Sequence, residues 1–377
     1  MQILIGADLV PTESNIELFN SGNYTELLGD ELCQVLHSAD YRIFNLEVPL
    51  TDTLSPIDKR GPALIAPTST VAGYKAMGVD CLTIANNHIM DQGAEGLFST
   101  LKELDENSIS YVGGGKSIEE AQKPFVVEKE GKKIGIYACA EHEFSIADAT
   151  TPGANPFDAL ESLDHVAALK SECDYVIVLY HGGKEHYRYP SPNLQKVCRK
   201  LVDKGADLVV CQHSHCIGCE EKYKDGTIVY GQGNFLFDHS QSEFWQTSLL
   251  IKIDNDFSIS YIPLIKKENQ VRLAEGDQAE AIFEGFNARS EEIKHPDAIN
   301  LRYADFAESM RDNYLVALGT INVHNFFFKV INKISGYRFA TWIINRKYNK
   351  AKLLRIQNCI ECEAHRELML SSIKNSK

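Results

Sequence analysis

Along the first two-thirds of the chain, apolar residues follow two alternating patterns. Short continuous runs rich in Ile, Val, Leu and Tyr read as buried strands. They are ILIGAD (3–8), YRIFNLE (41–47), CLTIANN (81–87), KIGIYACA (133–140), YVIVLY (175–180), DLVVCQ (207–212) and TIVYGQGNF (227–235). SLLIKIDN (248–255) and SISYIPLI (258–265) read as a closing pair. Between the runs, apolar residues recur three and four apart, the spacing of amphipathic helices. One set is Leu97, Leu101 and Leu104; a second is Leu160, Leu163, Val166 and Leu169; a third is Leu194, Val197 and Leu201. Ser117 with Glu120 is a capping-box pattern, and Gly205 stands where the third helix should stop. Repeated strand–helix–strand order predicts an α/β sheet protein.

The character changes near residue 266. Residues 266–297 read as polar and irregular, and from Ile299 the pattern is helical to the end. The expected organisation is an α/β domain over 1–265 and a mostly helical, basic extension over 266–377. Residues 325–356 carry eight Lys or Arg and no acid, interleaved with Phe, Tyr and Trp. Such a stretch can lie on an anionic membrane surface. The alternative is a helix pair whose apolar stripe packs on the acidic body.

Composition narrows the class. A hydrophobic content of 44% over 377 residues sustains a sizeable core. No long uninterrupted apolar window predicts a spanning helix, and the first residues read as a strand and not as a secretion signal. The expected location is the cytoplasm, with peripheral contact at the inner face of the membrane through 325–356. Ten scattered cysteines, several inside apolar runs, read as reduced buried thiols. The pairs Cys216/Cys219 and Cys359/Cys362 have zinc-site spacing but are far apart in sequence. From Ala281 onward 15 basic and 10 acidic residues give +5, so the first 280 residues carry −19 of the total −14. A body so acidic, without a basic patch, excludes nucleic acid as a partner.

Candidate chemistry collects at strand ends. Asp8 ends the first run; Asn45 and Glu47 end the second; Asn86, Asn87 and His88 end the third. His181 follows YVIVLY, His213 and His215 follow DLVVC, and Asn234 lies near the end of TIVYGQGN. In open α/β sheets the carboxyl ends of strands form the ligand crevice. Two carboxylates, an amide oxygen and three imidazoles suit a hard or borderline divalent cation. In His213-Ser214-His215 the two imidazoles point apart if the chain is extended, reaching two adjacent cations, or converge on one at a bend. His88 stands beside these groups without having to be a ligand. Asp91 can accept its hydrogen bond and hold its tautomer, as a proton-transferring histidine needs.

These residues carry a family resemblance. AD (7–8), FNLEVPLTD (44–52), ANNHIMDQGAEGL (85–97), YVGGG with EEAQKP (111–124), HGGKEHYRYPSP (181–192), GADLVVCQHSH (205–215) and YGQGNFLFD (230–238) occur in one order over residues 1–240. The chain resembles the capsule-synthesis CapA (poly-γ-glutamate-type) family, a branch of the calcineurin-like metallophosphoesterase superfamily. The resemblance implies a four-layer α/β/β/α sandwich with a two-metal site holding Mn, Mg, Fe or Zn. It implies Asp8 and His215 on the first metal, Glu47 bridging, and Asn87, His181 and His213 on the second. His88 would be catalytic, supported by Asp91, and a water or hydroxide between metals about 3.5–4 Å apart would be the nucleophile. Asn45, Asn86, Glu185, His186 and Asn234 would bind substrate or support the ligands. The superfamily's usual Asp-x-His at the first strand is Asp8-Leu9-Val10 here, so the first site lacks an imidazole.

Three functions follow as expectations. The first is a metal-dependent hydrolase acting on a cell-surface polymer precursor or a small phosphoester. The second is a proton-transfer enzyme of the epimerase kind, with His142, Glu143, Glu185 and His186 as further candidate bases. The third is a non-catalytic protein that binds a polymer or a biosynthetic partner. Lipid-linked phosphate, polyglutamate, glycan and peptide all stay open as substrates, and so does the oligomeric state.

Overall fold

The computed structural model describes residues 1–377 except 130, 238–240, 320–325, 336–337 and 375–377. The strands in chain order are β1 (Ile3–Leu9), β2 (Tyr41–Asn45), β3 (Cys81–Thr83), β4 (Ser110–Val112), β5 (Gly114–Gly115), β6 (Phe125–Lys129), β7 (Lys132–Ala140) and β8 (Gly153–Ala154). They continue as β9 (Tyr175–His181), β10 (Leu208–Gln212), β11 (Glu220–Tyr223), β12 (Gly226–Tyr230), β13 (Asn234–Leu236), β14 (Thr247–Ile253), β15 (Ile259–Lys267) and β16 (Gln270–Leu273). Among the described residues they build two main sheets. One has the order β16-β15-β14-β1-β2-β3-β4 with β13 beside β1; the other has the order β11-β12-β10-β9-β7-β6. The centre of each is parallel, and antiparallel pairs close the edges.

The two-residue period of a strand sorts side chains into separate cores. Ile3, Ile5, Ile43 and Cys81 of the first sheet meet Ile136, Ile177, Leu179, Leu208 and Val210 of the second in one buried cluster between the sheets. Their neighbours Leu4, Phe44 and Leu82 face the opposite way, into a cluster with Phe19, Leu32, Tyr74, Leu97, Leu101 and Leu104 from helices. On the far side, Val176, Val178 and Val209 pack with Val166, Leu169, Cys198 and Leu201 from two further helices. Three apolar interfaces between four layers make the α/β/β/α sandwich. Each fully buried Leu, Ile or Phe contributes roughly 1.5–3 kcal/mol relative to exposure, so sheet faces apolar on both sides hold the strand ends in place.

Local details depart from the sequence reading in instructive ways. The helix expected to include Leu160 begins at Ser162, and Leu160 is exposed. The Asp158 carboxylate instead accepts the Leu160 amide at 2.7 Å, holding that turn out of the helix. Ser117 makes no side-chain cap; Glu120 accepts from the Lys116 amide at 3.0 Å. The helix Pro192–Asp203 starts as its residues direct, with Ser191 Oγ accepting from the Leu194 amide and Pro at the first turn. The run 227–235 splits into β12 and β13, because Gly231 and Gly233 take positive φ between them.

Residues 266–297 are not irregular. They carry the end of β15, β16 and the helix Gly276–Glu292, whose Ile282 and Phe286 bury one turn apart. The first compact unit therefore runs on to Leu301, past the expected boundary at 265, and the second is Arg302–Lys377. The second unit contains the helices Phe326–Ile334, Arg338–Lys347, Lys350–Glu361 and Glu363–Lys374. Its buried apolar cluster is small: Leu315, Ile344 and Tyr348, with Val316, Leu353 and Ile356 half-buried around it. Among the described residues no helix is long and apolar enough to cross a membrane.

Candidate metal centre at the strand ends

The carboxyl ends of β1, β2, β3, β9 and β10, with the start of β13, deliver the site. β1 changes register around Asp8 against both β2 and β13. Such irregularities re-aim a side chain, and they set Asp8 opposite Asn45 on one side and Asn234 on the other. Gly233 makes the entry to β13 possible. It sits at φ +80°, and a Cβ there would meet the Thr247 carbonyl oxygen at 2.6 Å. His213 and His215 both take positive φ, +85° and +53°. This is the bend of the H-x-H stretch, and residues that keep such a backbone are overdetermined by their surroundings.

Amide side chains brace the ligands. Asn45 Nδ2 donates to Asp8 Oδ1 at 2.7 Å, and its Oδ1 accepts from Thr83 Oγ1 at 3.0 Å and Asn86 Nδ2 at 3.1 Å. Asn86 also donates to the Leu46 carbonyl at 2.8 Å, and accepts the His88 and Ile89 amides at 3.1 and 2.9 Å. Asn86 is thereby a clamp that ties the loop after β3 to the end of β2.

Two ligand sets share one carboxylate. Glu47, His181 and His213 bring ligand atoms within 4.8 Å of one another, and so do Asp8, Glu47 and His215. Around His181 Nε2 stand Asn87 Oδ1 at 3.0 Å, His213 Nδ1 at 3.1 Å and Glu47 Oε1 at 3.2 Å. One imidazole nitrogen carries at most one hydrogen, so three neighbours exceed what hydrogen bonding can satisfy. In the other set, His215 Nδ1 lies 2.9 Å from Asn234 Oδ1 and 3.3 Å from Asp8 Oδ2. Val10 is buried in the apolar cluster under the helices and adds no ligand. Among the described residues, Asp8 Oδ2, both oxygens of Glu47 and Asn234 Nδ2 are buried without a hydrogen-bond partner. A buried carboxylate so placed costs several kcal/mol unless positive charge compensates it. The donor set fits divalent cations.

The electrostatics tell the same story. Burial and the Glu47 charge raise the Asp8 pKa. Burial also pushes Glu47 upward, but the imidazoles of His181 and His215 outweigh it and hold Glu47 well below its usual range. Burial lowers His181, and Glu47 more than reverses that. His215 is likewise pulled down by burial and pushed up, to about 9, by Asp8 and Glu47. Burial and the neighbouring His181 keep His213 well below the ordinary value. Two carboxylates this close push each other's pKa values apart, Asp8 upward and Glu47 downward.

His88 Nδ1 lies 2.6 Å from Asp91 Oδ2. Asp91 also accepts the Leu64 amide at 2.7 Å and pairs with the Lys59 ammonium, which lies 3.3 Å from His88 Nδ1. Sequence reasoning missed Lys59, because a lysine in the loop SPIDKRGP reads as solvent-exposed. It missed Ser145, whose hydroxyl donates to the Asn87 carbonyl at 2.7 Å. It missed Glu141, 3.9 Å from His213 Nε2, and Trp245, whose indole N–H donates to His186 Nε2 at 2.7 Å. The Trp245 ring stands 4.6 Å from that of His215. The remaining candidates are more peripheral. His142 is exposed with Nε2 3.1 Å from the Phe157 carbonyl, Glu143 is exposed but able to approach His213, and Glu185 is exposed beside His186. Among the described residues no cysteine joins a metal-capable group.

The strand ends of this four-layer sandwich thus carry a carboxylate–imidazole centre. The chain belongs to the family described as bacterial capsule synthesis protein PGA_cap, whose profile matches residues 3–239. It is 30% identical over 224 residues to the capsule biosynthesis protein CapA of Bacillus anthracis, covering 57% of this chain and 54% of that one. It is 29% identical over 222 residues to the PGA biosynthesis protein CapA of Bacillus subtilis (strain 168), covering 57% and 58%. The chain thus spans little more than half the length of these relatives. A structure described as a novel phosphatase from Mycoplasma pneumoniae superposes with a TM-score of 0.44 at 16% identity, covering 71% of this chain and 94% of that one.

Proposed function

We propose that this protein is a metal-dependent hydrolase of the phosphoesterase type, acting on a precursor in capsule or cell-surface polymer synthesis. The observation that carries the reading is the crowding of Asn87, His213 and the buried Glu47 around one nitrogen of His181, with neither Glu47 oxygen accepting a hydrogen bond among the described residues. Glu47, Asn87, His181 and His213 would hold one cation; Asp8, Glu47, His215 and Asn234 Oδ1 would hold the other. Divalent cations there would supply Lewis-acid polarisation of a substrate oxygen and a water acidic enough to act as nucleophile at neutral pH.

The chain's own residues do the rest. Asp91 engages Nδ1 of His88, so the proton that His88 exchanges with substrate sits on Nε2. Lys59 and the Leu64 amide hold Asp91 in place. His88 then protonates the leaving oxygen, a role worth about 10²–10⁴ in rate.

The test joins metal content to turnover. Purified protein reconstituted with Mn²⁺ or Zn²⁺ should carry about two cations per chain by elemental analysis. His88→Asn should keep them and lose about 10²–10⁴ in phosphoester turnover. A metal-free protein, or a His88→Asn variant with undiminished rate, would sink the reading.

A further inference from the structure

A second cavity, of about 600 Å³, lies beyond the aromatic wall of the metal centre. It is bounded by the helix Gly276–Glu292, by β14 and β15, and by the loops after β9 and β10. Its lining carries three cations, Arg188, Lys266 and Arg289, against one carboxylate, Glu243. That sign is opposite to the acidic body around it.

Two of the cations are set in place by consecutive carbonyls. Arg188 Nη1 donates to Ile217 O at 3.1 Å, and Arg289 Nε donates to Gly218 O at 2.7 Å. The loop bearing these carbonyls follows His215 directly, and residue 218 must be glycine. A Cβ there would meet the Tyr230 carbonyl oxygen at 1.8 Å. Arg188 lies over the Phe244 ring at 4.8 Å and reaches Glu243 only at 3.9 Å. Glu243 is 80% exposed, so that pair is solvent-screened and weak. Arg289 makes no ion pair among the described residues. Burial and the Arg188 charge together pull its pKa below the ordinary arginine value. Each guanidinium has five N–H donors and spends one on the backbone. Two half-buried guanidiniums, anchored side by side and short of a carboxylate, are built for a bidentate oxyanion.

The cavity is joined to the metal centre by stacked rings. Phe244, under Arg188, stacks on His186 with centroids 5.4 Å apart. His186 accepts from Trp245, which lies against His215.

We infer that this cavity is an anion subsite, taking a carboxylate or phosphate group remote from the reacting end of the substrate, so that the substrate is polyanionic. The link to a reacting end rests on the proposed function; the binding itself does not. The experiment therefore uses the full chain stripped of metal and freed of chelator, which removes anion binding at the strand ends.

Calorimetric titration with inorganic tripolyphosphate and with pentaglutamate should show saturable one-to-one binding of at least one probe. The tighter probe identifies phosphate or carboxylate as the natural group. Arg188→Gln and Arg289→Gln should each weaken binding about ten-fold or more, as expected for a lost charged hydrogen bond. Arg289→Lys should weaken it less. Glu243→Gln, an exposed change that leaves the fold alone, should tighten it about two-fold by removing the competing carboxylate. If neither probe saturates, or if the glutamine variants melt normally and bind like the wild type, the inference falls. If turnover fails while this binding stands, the hydrolase reading falls and the subsite remains.

Discussion

The two halves of the candidate metal centre are unequal. Around His181 the chain gathers three donors, Glu47, Asn87 and His213, within hydrogen-bonding distance of a single nitrogen. Around His215 it gathers Asp8, Glu47 and the Asn234 oxygen, and Val10 lies in the apolar core. Glu47 belongs to both. Where one carboxylate serves two half-sites of different strength, the weaker half depends on the stronger for its geometry, and both depend on that carboxylate. Each half also draws on both sheets, so neither forms before the sheets pack.

Breaking the shared residue should have the largest effect. Glu47→Gln removes the only charge common to both halves, and elemental analysis should find both cations lost and turnover below detection. The single-half variants sharpen the contrast. His213→Ala and Asp8→Ala should each weaken cation binding by about 10–100-fold, the cost typical of disturbing a metal shell. In competition with a chromophoric chelator, Asp8→Ala should lose one cation and keep the His181 half occupied. His213→Ala should loosen both, because His213 contacts His181, the imidazole that stands against the shared Glu47. Equal losses in the two variants would contradict the asymmetry.

The smallest effect is one of pH. In the cation-free protein His215 is pushed up to about 9, so it holds a proton at neutral pH, and the Glu47 charge raises His181 as well. A cation must displace the His215 proton, and its affinity should therefore rise with pH up to about 9. Calorimetry at pH 7 in buffers of different ionisation enthalpy should show net proton release on binding. The sign for stability runs the other way without metal. A His215 pKa above its unfolded value of 6.5 stabilises the empty fold below that pH, and the contribution is lost as pH rises through about 9. Thermal melts of the metal-free protein should fall across that window while those of the loaded protein do not.

Much of this was legible in the sequence, and for a reason. Polar residues at the ends of otherwise apolar strands, from Asp8 to Asn234, are costly to bury, so their presence in such runs already marks a site. The strand cores were legible because an apolar run between turn signals has few other fates. The stretch 266–297 was misread although Ile282 and Phe286 stood four apart, since most of that helix is polar and the buried pair alone decides its packing. Lys59 carried no signal. Its loop is rich in Pro, Gly and charge, and only the placement of Asp91 beneath it turns an ordinary surface lysine into a buried partner. The arginine-lined cavity was equally hidden, because Arg188 and Arg289 lie a hundred residues apart and meet through carbonyls of a third segment.

By itself the sequence determined the α/β class and the chemistry of the donors. Side-chain period and residue type are local properties, read from a few neighbours along the chain. The tertiary structure alone decided which donors come together, that Glu47 stands in both groups, that Asn234 stands beside His215, and where the positive cavity opens. Those outcomes depend on distances between strand ends on different sheets, and such distances exist only after the inter-sheet core has packed.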